Sequence, residues 1–229
     1  MAARYALYYA PDADSLLWQR ASRWLGRDAV SGEDLLQPRF GELSDLDFAA
    51  LTADPRHYGF HATLKAPFAL AEGTSEAALI AAAAALAQAR APFVAAIRPT
   101  ALEPFLAFQI IGACSEMAAL EAACVRAFEP FRAPLSDADL IRRRRARLTP
   151  RQDAQLATWG YPYVFEDFRF HMTLTGAIAD DAARGRVLAA AERYFADVPA
   201  DHHFATISIF RQADRQSPFV MTERFAFTE

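Results

Sequence analysis

The sequence predicts an α+β fold, bilobed, with two pseudo-symmetric antiparallel sheets, helices on their outer faces and a central cleft. Three observations lead there. The pattern aromatic-His-x-Thr-Leu occurs twice, in "YGFHATLKAPF" from Tyr58 to Phe68 and in "FRFHMTLTGAI" from Phe168 to Ile178, and takes two of the five histidines. His61 and His171 stand 110 residues apart, and the same displacement carries the pattern after the first copy onto that after the second, so that strand, helix, strand, strand recurs. Within each copy the residues alternate: Phe60, Ala62 and Leu64 against His61, Thr63 and Lys65, then Phe170, Met172 and Leu174 against His171, Thr173 and Thr175. In a strand this turns one face to a core and sets an imidazole beside a hydroxyl on the other.

The elements follow in order. Arg4 to Ala10 reads as a strand ended by Pro11, with a helix from about Asp14 to Leu25. Residues 27–57 mix Gly, Pro and acidic residues, and irregular structure is expected there apart from a short helical pattern near Asp45 to Leu51. The first histidine strand precedes a helix over about Glu76 to Arg90, with Thr74 or Ser75 as N-cap and Pro92 as stop. Strands near Phe93 to Arg98 and Leu106 to Ile111 follow, then a helix near Glu116 to Phe128. Thr149-Pro150 has the form of an N-cap with proline at the first helical position, and Gly160 that of a C-terminal stop. After the second histidine strand come a helix over Asp180 to Phe195 and strands at His203 to Phe210 and Phe219 to Phe227. The whole, residues 1–229, is expected to be a single two-lobed domain with repeat cores at about 58–112 and 168–227.

Composition bounds the function. With 53% hydrophobic and 23% charged residues, 229 residues are enough to build one globular core. A net charge of -4 argues against gripping long nucleic acid, which needs many cations to neutralise phosphates, yet leaves a small anionic substrate open. Cys114 and Cys124 have neither metal nor disulfide-framework spacing and read as buried free thiols. Neither a signal-peptide core nor a bilayer-spanning stretch is evident, so a cytoplasmic protein without membrane partners is expected. A monomer is expected as well.

Two imidazoles facing one cleft suit acid and base action on a single bond, because an unperturbed histidine titrates near ~6.5 and the pair can divide the two roles. Threonine hydroxyls suit the oxygens of a phosphoryl group. His57 and His61 are four apart, but Gly59 lies between them and no HExxH glutamate is present, so no metal and no cofactor are expected. Candidate substrate contacts are Lys65, which shares a face with His61; Tyr8, which either lines the cleft or packs as an ordinary tyrosine; and the arginine run from Arg142, which is either a solvated helix face or a phosphate clamp. Tyr161 and Tyr163 either stack a base or ribose or belong to a turn at Pro162. His202 and His203 read as solvent-exposed loop residues.

The repeated motif resembles the two-histidine (2H) phosphoesterase superfamily, whose members include RNA ligase-like and cyclic phosphodiesterase proteins. More narrowly, "RYALYYAP", "WLGRDA", "YGFHATLKAPF", "WGYPYVFEDFRFHMTLTG" and "PFVMTERFAF" together are similar to its phosphonate-metabolism branch, a domain of unknown function often carried in phosphonate-utilisation operons. The resemblance covers nearly the whole chain. It implies the 2H phosphoesterase fold and hydrolysis or transfer at a cyclic or 2'-linked phosphodiester. By motif position it also implies His61 and His171 as the catalytic pair, Thr63 and Thr173 as phosphate ligands, and an arginine pair at Arg142 and Arg143. The reading that follows is a metal-independent phosphoesterase acting on a small ribose cyclic phosphate. An RNA-end cyclic phosphodiesterase or 2'-5' RNA ligase-like enzyme, and a non-catalytic phosphometabolite-binding protein, are the alternatives.

Overall fold

In a computed structural model, which describes residues 3–228, the chain forms two four-stranded antiparallel sheets with helices packed against them. Strand β1 (Arg4–Tyr9) is central in the first, and every residue from Tyr5 to Tyr9 is buried. On one side it pairs with β2 (Ala62–Ala69), and on the other with β7 (Thr206–Gln212), which pairs in turn with β8 (Val220–Ala226). The second sheet runs β5 (Met172–Thr173), β4 (Phe105–Ile110), β3 (Phe93–Leu102), β6 (Asp201–Phe204). Each sheet therefore takes the histidine strand of one half of the chain and the following strand pair, or part of it, from the other.

The helices begin and end for local reasons. Helix α1 (Leu16–Leu25) starts two residues later than the pattern suggested, because Ser15 caps it by accepting from the Trp18 amide; Gly26, at φ 82°, ends it. Helix α3 (Glu76–Gln88) has Ser75 as its cap. Helix α4 (Ser115–Ala127) buries Met117, Leu120, Cys124 and Val125, whereas Cys114, just outside it, is only half-buried. Helix α5 (Asp137–Arg144) carries the arginines and buries no residue fully. Helix α6 (Pro150–Trp159) opens with a complete capping box between Thr149 and Gln152 and closes at Gly160 in the left-handed conformation. Helix α7 (Asp181–Tyr194) packs against β3 and β4.

The stretch expected to be irregular holds a longer helix than its pattern showed. Helix α2 (Phe48–Tyr58) runs through Pro55. Proline at that point leaves the Leu51 carbonyl without its helical donor, and the amide of Gly176 bonds to it at 2.6 Å. Through that bond, α2 is tied to the segment just after the second histidine motif.

The apolar half of each motif is buried as alternation demands: Phe60, Ala62 and Leu64 in the first copy, Phe170, Met172 and Leu174 in the second. The polar half departs from it at its third residue. In β2 the pairing steps from Tyr8↔Thr63 to Leu7↔Lys65, so two residues advance on β2 against one on β1. Such a bulge re-aims the side chains that follow it. In the second copy the ladder stops after Thr173, because the amides of Leu174 and Thr175 both bond to the Leu106 carbonyl and the Thr175 hydroxyl accepts from the Leu106 amide at 3.0 Å. Lys65 and Thr175 are consequently buried.

Among the described residues no helix is long and apolar enough to cross a membrane.

Candidate active site

His61 follows Gly59, which ends α2 at φ 79° and ψ 171°, a region open essentially to glycine alone. A Cβ at Gly59 would lie 2.4 Å from that of buried Ala29. The turn lets the His61 Nδ1–H donate to the Gly59 carbonyl at 2.8 Å. The second copy repeats the bond: His171 Nδ1–H donates to the Arg169 carbonyl, also two residues upstream, at 2.7 Å. With Nδ1 committed as donor, each neutral ring presents an unprotonated Nε2.

His61 stacks on Tyr8 with ring centroids 3.7 Å apart and 20° between planes, and His171 lies 5.7 Å from the Phe105 ring. The Thr63 hydroxyl is 3.3 Å from His61 Nε2. Both histidines, Thr63, Thr173 and Tyr8 line one cavity of about 560 Å³. A neighbouring chamber of about 450 Å³ shares Thr63, His171 and Tyr161 with it and adds Tyr163 and Glu121.

Burial pushes the His61 imidazole down to about 4, with His171 as a lesser cause, and burial lowers His171 too. The simple division into one neutral and one protonated ring at neutral pH therefore does not describe the free site, where both rings are neutral. Glu121 moves the other way. Its carboxyl, buried on α4 and accepting from the Phe165 amide at 3.2 Å, is raised by burial to about 7.

The other candidate residues separate clearly. Arg142, Arg143 and Tyr161 line the histidine cavity, and Tyr163 lines the adjoining chamber. Arg143 lies over the Tyr161 ring, 5.4 Å from its centroid, and burial raises the Tyr161 hydroxyl to about 12. Tyr161 and Tyr163 meet edge-on at 81° rather than as parallel plates. Lys65 is the correction. The bulge turns it off the cleft, and its Nζ donates to the Val125 carbonyl at 3.1 Å and to Glu129 at 2.5 Å, leaving it 3% exposed. It is a buried ion-pair partner and lines neither cavity.

His202 is a second correction. It is no loop residue but part of β6, half-buried, with Nε2 against the Tyr9 hydroxyl, and burial lowers it to about 4. His57, at the end of α2, lines the histidine cavity; among the described residues no group of three or more His, Cys, Asp or Glu is placed to hold a metal ion.

Sequence reasoning missed Arg4, Tyr58, Arg215 and Glu121, all of which line these chambers. Arg4 was within reach, since Arg4, Ala6 and Tyr8 share one face of β1 by alternation. Arg215 was not, because it sits in the connection between β7 and β8.

The family described as "Protein of unknown function (DUF1045)" matches residues 63–220. A protein of Janthinobacterium sp. (strain Marseille) named ribose 1,5-bisphosphate phosphokinase PhnN is 43% identical over 230 residues, which is 98% of this chain and 51% of that protein. One of the same name from Laribacter hongkongensis (strain HLHK9) is 42% identical over 175 residues, 76% of this chain and 40% of its own. The chain thus spans about half the length, or less, of the curated relatives it matches. Two solved structures align along its length: E. coli LigT complexed with NADP+, over 100% of this chain and 99% of that one at 12% identity and TM-score 0.47, and a phosphoesterase, over 99% of both at 11% and 0.43. Likenesses at that level carry no conclusion. The family match covers most of the chain and agrees with the domain of unknown function to which the sequence motifs pointed: the chain belongs to the DUF1045 family.

Proposed function

We propose that the protein is a metal-independent phosphoesterase of the two-histidine type, acting on a small cyclic phosphodiester such as a ribose cyclic phosphate intermediate of phosphonate metabolism. The carrying observation is the matched pair of imidazoles, each held through Nδ1 by the carbonyl two residues upstream and each lining the same cavity. In this reading one Nε2 takes a proton from water as the water oxygen bonds to phosphorus. The other ring, protonated in the bound complex, gives its proton to the departing ester oxygen, and a phosphomonoester remains. Thr63 and Thr173 donate to the non-bridging oxygens, where charge is held. The relatives' names support the choice of sugar: they are named for a ribose bisphosphate, and a step on a ribose phosphate fits beside that.

The same proposal takes the chain as one duplicated, two-lobed domain that works as a cytoplasmic monomer on small substrates rather than long nucleic acid. It extends over Met1, Ala2 and Glu229, which lie outside the described residues. A second reading, an RNA-end cyclic phosphodiesterase or 2'-5' RNA ligase-like enzyme, draws on the chamber with Tyr161 and Tyr163, which offers a base two aromatic neighbours.

Turnover of a panel of ribose cyclic phosphates, cyclic nucleotides and short RNA ends separates these readings, and consumption of none of them would leave a binding protein. Two results are expected with the best substrate. Thr63→Val and Thr173→Val keep the branched shape but lose the donor, so each lowers kcat/KM roughly tenfold to hundredfold, the weight of about 1.5–3 kcal/mol for a hydrogen bond to a charged group. Full activity in both variants would remove the phosphate cradle. Excess EDTA leaves turnover intact, and loss restored by a divalent cation would overturn the metal-independent mechanism.

A further inference from the structure

The wall of the histidine cavity holds an unusual balance of charge. Four arginines, Arg4, Arg142, Arg143 and Arg215, line this cavity. The carboxylate beside them, Asp139, is already shared by two: Arg142 bonds it at 2.8 Å, and Arg215 spans both its oxygens at 2.9 and 2.8 Å. Among the described residues no carboxylate pairs with Arg4 or Arg143. Arg143 is half-buried, its Nε is buried without a hydrogen-bond partner, and its plane is held by the Tyr161 ring. Burial lowers the affinity of both guanidiniums for their protons, as expected of cations taken from water without a carboxylate in direct contact.

Arg4 is also held in place. Its Nε donates to Oε1 of the fully buried Gln212 at 2.7 Å, and its Nη2 reaches the same oxygen. The Gln212 amide nitrogen in turn donates to the Ser217 carbonyl at 2.8 Å and to Nε2 of His57 at 3.0 Å. A neutral amide that orients an arginine without neutralising it leaves the positive charge available to a ligand. Such an arrangement is what a preorganised anion site requires and what a structural ion pair does not have.

We propose that Arg4 and Arg143 form a second anion subsite, and that the ligand of this cavity carries a terminal phosphomonoester in addition to the phosphoryl group at the histidines. The inference rests on the phosphoesterase reading of the cavity and narrows its substrate class to small sugar phosphates with two phosphoryl groups, one of them a diester.

Calorimetric titration of the intact protein with ribose 5-phosphate tests it, because this probe carries the terminal phosphate and has no diester to break. Wild type is expected to bind. Arg143→Gln, on a helix with no buried residue, and Arg4→Gln should each weaken binding about tenfold or more, whereas Arg144→Gln, whose guanidinium pairs with Asp153 and lines neither chamber, should change it less than about threefold. Absence of binding at millimolar probe overturns the subsite. So does wild-type affinity in both Arg4→Gln and Arg143→Gln, or a loss in Arg144→Gln as large as theirs. The two readings fail separately: arginine-dependent binding with no cyclic phosphate ever consumed keeps the subsite and removes the phosphoesterase, and the reverse pattern removes only the subsite.

Discussion

His61→Ala and His171→Ala are each expected to lower turnover by roughly 10² to 10⁴, the usual weight of one general acid or base. The double variant should cost little more than the worse single one, since each ring is useless without the other. Neither replacement should unfold the protein. His171 has its ring beside Phe105 at the cavity wall, and His61, though stacked on Tyr8, faces the same open space. Near-normal activity in either variant, or a collapse of thermal stability in both, would turn the motif into a packing device. The pH profile gives an independent check. Both imidazoles lie below the ordinary value, His61 at about 4, so a free enzyme with one ring charged and one neutral is most abundant on the acid side of ~6.5. The maximum of kcat/KM, which reports the free enzyme, is accordingly expected below pH ~6.5 and should fall as pH rises from there; a maximum above pH ~7.5 would contradict the burial of the pair.

Gly59→Ala should be among the most damaging single substitutions in the chain. It combines a backbone conformation that costs about 1–3 kcal/mol for a residue with a Cβ and a 2.4 Å approach to Ala29, whose carbonyl is held by the Met221 amide at 2.8 Å. Neither side can yield without moving α2 or β8. A loss of ~3 kcal/mol or more is expected, lowering the melting temperature by roughly 6–12 °C. Activity should fall with it, because the Gly59 carbonyl fixes the His61 ring. Gly32→Ala is the control: it shares the positive φ, at 78°, but has nothing within 4 Å of its new methyl group. Melting temperatures of the two variants that agree within a couple of degrees would show that the contact with Ala29 relaxes freely.

The two motifs were legible because strand alternation is local. It needs only neighbouring residues to put Phe60 and Phe170 inside and His61 and His171 on the other face. It failed at the third polar position of each copy for reasons far away in sequence. Lys65 is turned inward by a bulge set against β1, and Thr175 by a turn clamped onto Leu106. Pro55 misled in the opposite direction. It breaks a local rule, and the broken bond is replaced by an amide at Gly176 that no window around Pro55 contains. The arginine-lined wall of the cavity was half legible: Arg4 lies in register with Tyr8, but its lack of a carboxylate partner depends on Gln212, which reaches it through the β1–β7 pairing.

That pairing also dictates an order of events during synthesis. β1 leaves the ribosome long before β7, and it is buried along nearly its whole length, yet Leu7 faces Ile209 across the sheet. Until β7 emerges, β1 has β2 alone as a neighbour, and one edge of a strongly apolar strand stays open. The second sheet waits in the same way, since β3 lacks its outer partner β6 until residues 201–204 appear. Neither sheet can close before residues 201–212 have emerged, so each is completed by a strand far along the chain from the one it joins. The nascent chain therefore carries an unpaired hydrophobic edge until residues 206–212 appear, the condition under which chains aggregate or engage chaperones.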